Sequence, residues 1–332
     1  MTKYVWFERT LPDDIMAMLD SVASRLGPGI ATPDDPLGAI GSAHAAVAGG
    51  YRYNAALFDR APDLLVVVRT GIGYDGVDVA EATRRGIAVC NTPDGPTIST
   101  AEHTWALLMA IAKRLKQIDD DLHQGQVGPD YYGSNAGLEL HGTTLGLVGL
   151  GRIGASVARY AQAFGMKVLA YDPFISEAAA AALGVTRVAS LEALLPQADI
   201  VSLHLPLIPD TRKLMNAARF SLMKQGALLV NAARGGLVDE TALLAALESG
   251  HLGGAGLDVT DPEPPKLDNP LVHRKDVFIT PHIASATIAG RRRIQTRAME
   301  QIRDVLQGKA PQHLINLEVW PRVLERLNAL GG

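Results

Sequence analysis

A single cysteine, Cys90, stands in 332 residues, so an internal disulfide framework is excluded and a reducing compartment is expected. It lies in the apolar run GIAVCN, where an inert buried thiol is expected rather than a nucleophile. Charge of one sign is scarce as well. The formal net charge is -4, which leaves no basic field for nucleic acid or an anionic membrane. No apolar run approaches the length of a membrane span. The first residues, MTKYVWFERT, lack the apolar core of a secretion signal, so the cytoplasm is the expected compartment. No His/Cys pair has ligand spacing with carboxylates to complete a set, so no metal is expected. Internal repeats and low-complexity tracts are missing too. What remains is a globular composition, 47% hydrophobic and 20% charged. Its length makes two domains the natural division.

Along the chain, apolar runs alternate with helical patterns. YVWF predicts a strand and IMAMLDSVASRL a helix. AHAAVAG, LLVVV and IAVC predict strands, with VDVAEATRR a short helix before the last of them. Such alternation predicts a parallel sheet. TAEHTWALLMAIAKRLKQIDDDL predicts one long helix with a wide apolar face, and residues 124–142 a glycine-rich loop. A second series follows. TLGLVGL and KVLAYD predict strands around the helix RIGASVARYAQAF, and ADIVSLHLP, GALLVNAARG, GAGLDV and VFITPH supply four more apolar runs. TALLAALESG predicts a helix closed by Gly250, and a last long helix begins near ASATIAG. The tail after Gly308 is expected to pack on the first domain.

The spacing G-x-G-x-x-G occurs twice, at Gly149, Gly151 and Gly154 and at Gly71, Gly73 and Gly76. With this much glycine, chance supplies about 0.3 matches per chain, so context must decide. The first match follows a strand, opens about three turns of helix, and is followed about 20 residues on by Asp172 at a strand end. Backbone amides near Arg152 and Ile153 would face a pyrophosphate. Asp172 would accept from the adenosine ribose and repel a 2′-phosphate, which favours NAD over NADP. The second match opens only a short helix, and its next acid, Asp94, lies past Pro93 in a loop. A tight turn is its simpler reading.

Ligands of open α/β sheets bind beyond the carboxyl ends of the strands. Those ends carry Asp172, His204, Asn231, Arg234, Asp258 and His282. Reduction of a carbonyl by a nicotinamide cofactor needs a proton donor near neutrality, a cation for carboxylate or oxyanion, and a carboxylate to tune the donor. The strand VFITP delivers His282 directly to this edge. His44, His103, His123, His141, His251, His273 and His313 have no such placement.

At these residues the chain resembles the D-isomer-specific 2-hydroxyacid dehydrogenase family over nearly its full length. GLGRIG with YDP, LHLPLIPDTRKLMN, MKQGALLVNAARGGLVDETAL, GLDVTDPEPP and TPHIASAT occur in the family's order. The resemblance implies two Rossmann-like domains: a doubly wound cofactor domain, residues 101–290, inserted into a flavodoxin-like substrate domain built from residues 1–100 and 291–332. It implies a catalytic trio of Arg234, Glu263 and His282. The implied NAD contacts are Gly149, Gly151, Arg152, Ile153, Gly154, Asp172, His204, Pro206, Thr211, Ala232 and Asp258, with Asp258 at the nicotinamide carboxamide. It also gives the second glycine motif a function, with Thr70, Gly71, Ile72 and Gly73 as the substrate-carboxylate loop beside Arg234. A homodimer through the cofactor domain is implied, as is a small substrate such as hydroxypyruvate or glyoxylate. Thr260 stands where an aromatic is usual and Ile208 where threonine is usual, which bears on substrate and cofactor detail. Competing expectations are an NAD-binding scaffold of corepressor type and a phosphite-type dehydrogenase.

Overall fold

The computed structural model describes residues 2–27, 35 and 37–331. It divides into one unit of residues 1–96 and 287–332 and a second unit of residues 97–286. Both crossings fall four residues before the expected boundaries. Thr287 is already the N-cap of the helix Ile288–Leu306, whose Ala298, Met299, Ile302 and Val305 lie in the core of the first unit.

The first unit is built on five strands: β1 (Tyr4–Phe7), β2 (Ser24–Leu26), β3 (Ala45–Ala48), β4 (Val66–Arg69) and β5 (Ala88–Cys90). They pair in parallel in the order β2-β1-β3-β4-β5, a flavodoxin-like arrangement. Successive side chains alternate between faces. Val66 and Val68 join one core cluster with the Ile288–Leu306 helix, and Val67 joins the other with Tyr53 and Phe58. Both faces are covered, which is why the strands read as unbroken apolar runs. Val319, Val323 and Leu327 of the tail complete the first cluster. Cys90 is fully buried, and burial pushes its thiol up, away from reactivity.

The segment 15–26 departs from the expected helix. Helix Asp13–Met16 and a 3-10 turn Ala17–Leu19 end early, and Ser24–Leu26 becomes the edge strand. Lys3 and Tyr4 offer the backbone pairing partners there, and Ser24 N donates to the Lys3 carbonyl at 2.8 Å. A partner strand distant in sequence overrides local periodicity.

The second unit holds seven strands, also parallel: β6 (Thr144–Val148), β7 (Lys167–Tyr171), β8 (Thr186–Arg187), β9 (Ile200–Leu203), β10 (Ala227–Asn231), β11 (Leu252–Leu257) and β12 (Val277–Ile279). Their order is β12-β11-β10-β9-β6-β7-β8. The chain reverses direction across the sheet between β6 and β9, the switch point where doubly wound sheets bind dinucleotides. The long helix expected after residue 100 is two helices, Thr97–Ala112 and Leu115–His123, broken at Arg114 with φ +55°. Leu138 N donates to the Ala112 carbonyl at 2.7 Å, and Lys113 Nζ donates to the Leu138 carbonyl at 2.9 Å. The returning chain thus satisfies the helix end that a continuous helix would have satisfied itself. Among the described residues, no helix is long and apolar enough to cross a membrane.

Candidate cofactor site and catalytic cluster

At the switch point, β6 runs into Gly149, with φ +99°, and β9 runs into His204. The three glycines of the turn have different physical reasons. A Cβ on Gly149 would lie 2.6 Å from the His204 carbonyl oxygen, and one on Gly154 would lie 2.4 Å from the Gly149 carbonyl oxygen. Both positions exclude a side chain by packing. A Cβ on Gly151 would meet nothing within 4 Å. Gly151 is the N-cap of the helix Arg152–Ala163 and makes no side-chain cap. Open space at a helix N-terminus is what a pyrophosphate needs. Asp172, half-buried after β7, accepts from Leu150 N at 2.8 Å and from Phe174 N at 2.9 Å. It therefore anchors the glycine turn while standing where a ribose is expected. These residues fit a dinucleotide.

The second glycine motif differs at the corresponding cap. Helix Val79–Arg85 begins at Asp78, whose own carboxylate accepts from Glu81 N at 2.9 Å. The anion position of that helix is already filled from within the chain. The residues ahead of it form a tied loop after β4. Thr92 N donates to the Gly71 carbonyl at 2.9 Å, and Asn91 Nδ2 donates to the Ile72 carbonyl at 2.7 Å. Thr70, Gly71, Ile72 and Gly73 belong to the first unit.

Around the switch point the remaining predicted residues shape the backbone. His204 shares a hydrogen bond of 2.9 Å with Ser202 Oγ, and burial pushes its imidazole down to about 4, so the ring is neutral. Thr211 Oγ1 donates to the Pro206 carbonyl at 2.8 Å and accepts from Ile208 N at 2.9 Å, which closes the 206–211 turn. Ala232 follows β10, partly exposed.

The segments that follow β10, β11 and β12 carry the expected trio. Arg234 leaves β10 and caps the 3-10 turn Gly235–Leu237. The Asn231 side chain braces this bend: Nδ2 donates to the Arg234 carbonyl at 2.8 Å, and Oδ1 accepts from Ala233 N at 3.0 Å. A Cβ on Gly235 would lie 2.0 Å from the Thr260 carbonyl oxygen. Glycine there lets the arginine segment pack against the segment that leads to Glu263. His282, with φ +54°, pairs through Nδ1 with Glu263 Oε2 at 2.7 Å. The hydrogen bond that His282 donates to Glu263 raises the His282 pKa most; desolvation opposes it, the Glu263 charge adds to it, and the Arg234 charge lowers it. Both partners remain partly open to solvent. With Nδ1 engaged by Glu263, Nε2 is the ring nitrogen outside that pairing.

Asp258, expected at the nicotinamide carboxamide, braces the backbone around His282 in this structure. It is 1% exposed, and its carboxylate accepts from Thr280 Oγ1 at 2.6 Å and from the amides of Ile283 and Ala284, each at 2.9 Å. Its carbonyl accepts from His282 N at 2.7 Å. Burial would raise the carboxyl pKa, but the hydrogen bonds from His103, Thr280 and the two amides outweigh it and hold the pKa below the usual value. Asp258 is thus the clamp that holds the His282 segment in shape.

His103 also departs from expectation. From the helix Thr97–Ala112 its Nε2 lies 2.9 Å from Thr280 Oγ1 and 3.3 Å from Asp258 Oδ1. Since the Thr280 hydroxyl proton goes to Asp258, its oxygen accepts from His103 Nε2–H. A signal was present, since His103, Leu107 and Ile111 share a helix face at i, i+4, i+8. Strand-end reasoning passes over helical residues. Among the described residues, no group of three or more His, Cys, Asp and Glu could hold a metal ion.

A family profile described as D-isomer specific 2-hydroxyacid dehydrogenase, NAD binding domain, matches residues 105–284. The D-3-phosphoglycerate dehydrogenase of Methanocaldococcus jannaschii is 38% identical over 284 residues, 86% of this chain and 53% of that protein. The glyoxylate reductase of Korarchaeum cryptofilum is 42% identical over 267 residues, 80% of each chain. The chain spans about half the length of the phosphoglycerate dehydrogenases it matches. Among solved structures, a protein from Thermus thermophilus is similar with a TM-score of 0.84 at 40% identity, covering 94% of this chain and 99% of that one. The D-lactate dehydrogenase of Aquifex aeolicus, solved with NAD and lactic acid, is similar with a TM-score of 0.81 at 29% identity, covering 94% and 99%.

Proposed function

Because the chain belongs to the D-isomer-specific 2-hydroxyacid dehydrogenase family, we propose that it interconverts a small 2-keto acid and its D-2-hydroxy acid. NAD is the cofactor, and when bound it supplies or accepts the hydride. The observation that carries the reading is the 2.7 Å pairing of His282 Nδ1 with Glu263, at a strand end that also feels the Arg234 charge.

The chain's own residues divide the remaining work. The Gly149 turn and the Arg152–Ala163 helix hold the pyrophosphate, and Asp172 holds the ribose and disfavours a 2′-phosphate. Arg234 binds the substrate carboxylate or the developing oxyanion through its planar fork. In reduction, protonated His282 donates from Nε2 to the carbonyl oxygen; in oxidation, the neutral ring takes that proton back. Glu263 keeps the ring protonated and fixed in orientation. The loop of Thr70, Gly71, Ile72 and Gly73 takes the substrate carboxylate as part of the same proposal. Hydroxypyruvate and glyoxylate are the favoured substrates.

A homodimer through the cofactor unit is supported by Leu115, Leu122, Val127 and Tyr132, which are exposed on the Leu115–His123 helix and the segment after it. Sedimentation velocity tests this, with a monomer as the contrary result. For the activity, NADH oxidation is followed with glyoxylate, hydroxypyruvate, pyruvate and an aryl-pyruvate, and NAD reduction with phosphite. Turnover of a keto acid is expected. Tight NADH binding with no turnover would favour the scaffold, and reduction of NAD by phosphite alone would favour phosphite chemistry.

A further inference from the structure

In the first unit, Glu8 directly follows β1, and residues 49–51 directly follow the neighbouring strand β3. The Glu8 carboxylate lies in a nest of backbone donors formed by that bend. Gly49 N donates to Oε2 at 2.6 Å, Gly50 N donates to Oε1, and Tyr51 N donates to Oε1 at 3.1 Å. The Tyr53 hydroxyl donates to Oε2 at 3.4 Å. Burial, and after it the Glu8 charge, push the Tyr53 hydroxyl well up, so it stays protonated and able to donate. Successive amides of this kind form an anion-binding concavity. Here the anion is a side chain of the protein itself.

The nest is joined to the loop proposed to hold the substrate carboxylate. Thr70 N and Thr70 Oγ1 donate to the Ala48 carbonyl at 3.2 and 3.1 Å. Arg69 Nη1 donates to the carbonyls of Ala48 and Gly49, and Arg69 Nε donates to the Gly73 carbonyl at 3.2 Å. Glu8, the 49–51 bend and the 70–73 loop therefore share the carboxyl edge of three adjacent strands, β1, β3 and β4. That is the edge where α/β sheets receive ligands.

We propose that Glu8 is a specificity-determining residue that keeps phosphorylated 2-keto acids out by occupying an amide nest beside the substrate loop that could otherwise receive a phosphate. The inference rests on the functional reading above and deepens it. A phosphate at the distal end of a substrate held by the loop meets a carboxylate instead of amide donors, and like charges repel. A hydrogen, methyl or hydroxymethyl group in its place carries no charge and is accepted.

The test compares hydroxypyruvate with its 3-phosphate as substrates for wild type, Glu8→Ala and Glu8→Gln, with inorganic phosphate as an inhibitor. Wild type is expected to favour hydroxypyruvate in kcat/KM by at least about tenfold and to be insensitive to millimolar phosphate. In Glu8→Ala the preference ratio should shift toward the phosphorylated substrate by at least about tenfold, and phosphate should become competitive with the keto acid. Glu8→Gln, which keeps an acceptor for the amides and removes the charge, should shift in the same direction by less. Wild-type preference for the phosphorylated substrate overturns the proposal, as does a ratio in Glu8→Ala within threefold of wild type. Should Glu8→Ala fail to fold, the wild-type ratio and Glu8→Gln still decide. Reduction of neither keto acid points to failure of the functional reading rather than of the role given to Glu8.

Discussion

Glu263 Oε2 stands 2.7 Å from Nδ1 of His282, and this pairing raises the pKa of the proposed acid. The partners come from the segments after β11 and β12, 19 residues apart in the chain. Because the folded-state pKa of His282 is raised, the stability gained from the pair is fully present below the unfolded pKa of histidine. It is lost as the pH rises through the raised folded value.

In the proposed mechanism keto-acid reduction needs protonated His282, so its rate is expected to fall on the alkaline side of the same raised pKa. Glu263→Gln removes both the charge and the strongest acceptor, and the alkaline limit of kcat/KM should move to lower pH. A pH profile of hydroxypyruvate reduction measures it. A profile that coincides with wild type would count against the tuning role.

His282→Ala should lower turnover by about 10²–10⁴-fold, the usual contribution of a general acid. NADH affinity, followed by fluorescence titration, should stay close to that of wild type. Equal losses in both would show that the side chain serves binding, not chemistry.

The glycine turn yields a paired prediction. Gly154→Ala drives a methyl group to 2.4 Å from the Gly149 carbonyl and should destabilise the fold by about 1–3 kcal/mol through overpacking. Gly151→Ala meets open space, so its melting temperature should stay near that of wild type while NADH affinity drops. Thermal melts with and without NADH separate the two, and the reverse pattern would contradict the assigned roles.

Asp172→Ala should lose about 1.5–3 kcal/mol of preference for NAD over NADP, the range for hydrogen bonds to a charged group. Calorimetric titration with both cofactors tests it. A parallel loss for both would mean that the Asp172 bond to Leu150 N matters only to the turn.

Much of the candidate site could be read before any fold was known. Gly149, Asp172 and His282 each follow an apolar run, and parallel strands place such positions on one edge. Glu263, which ends no strand, came only through resemblance. The bracing contacts of Asp258 are not legible in the sequence, because its partners, His103, Thr280, Ile283 and Ala284, lie on a helix and in a later loop. The break at Arg114 was equally hidden. Lys113 and Ala112 continue a good helical pattern, and only Leu138, far along the chain, stops it.

Local sequence alone determined most of the strands, several of the longer helices and the identity of the chemical groups, because hydrophobic period and glycine spacing act over a few residues. Tertiary structure decided which groups meet: Glu263 with His282, Asp258 with the loop that carries it, and Glu8 with the amides after β3. Those meetings depend on sheet order and on backbone approaches of a few ångströms. No pattern along the chain encodes such distances, since they arise only when strands far apart in sequence lie side by side.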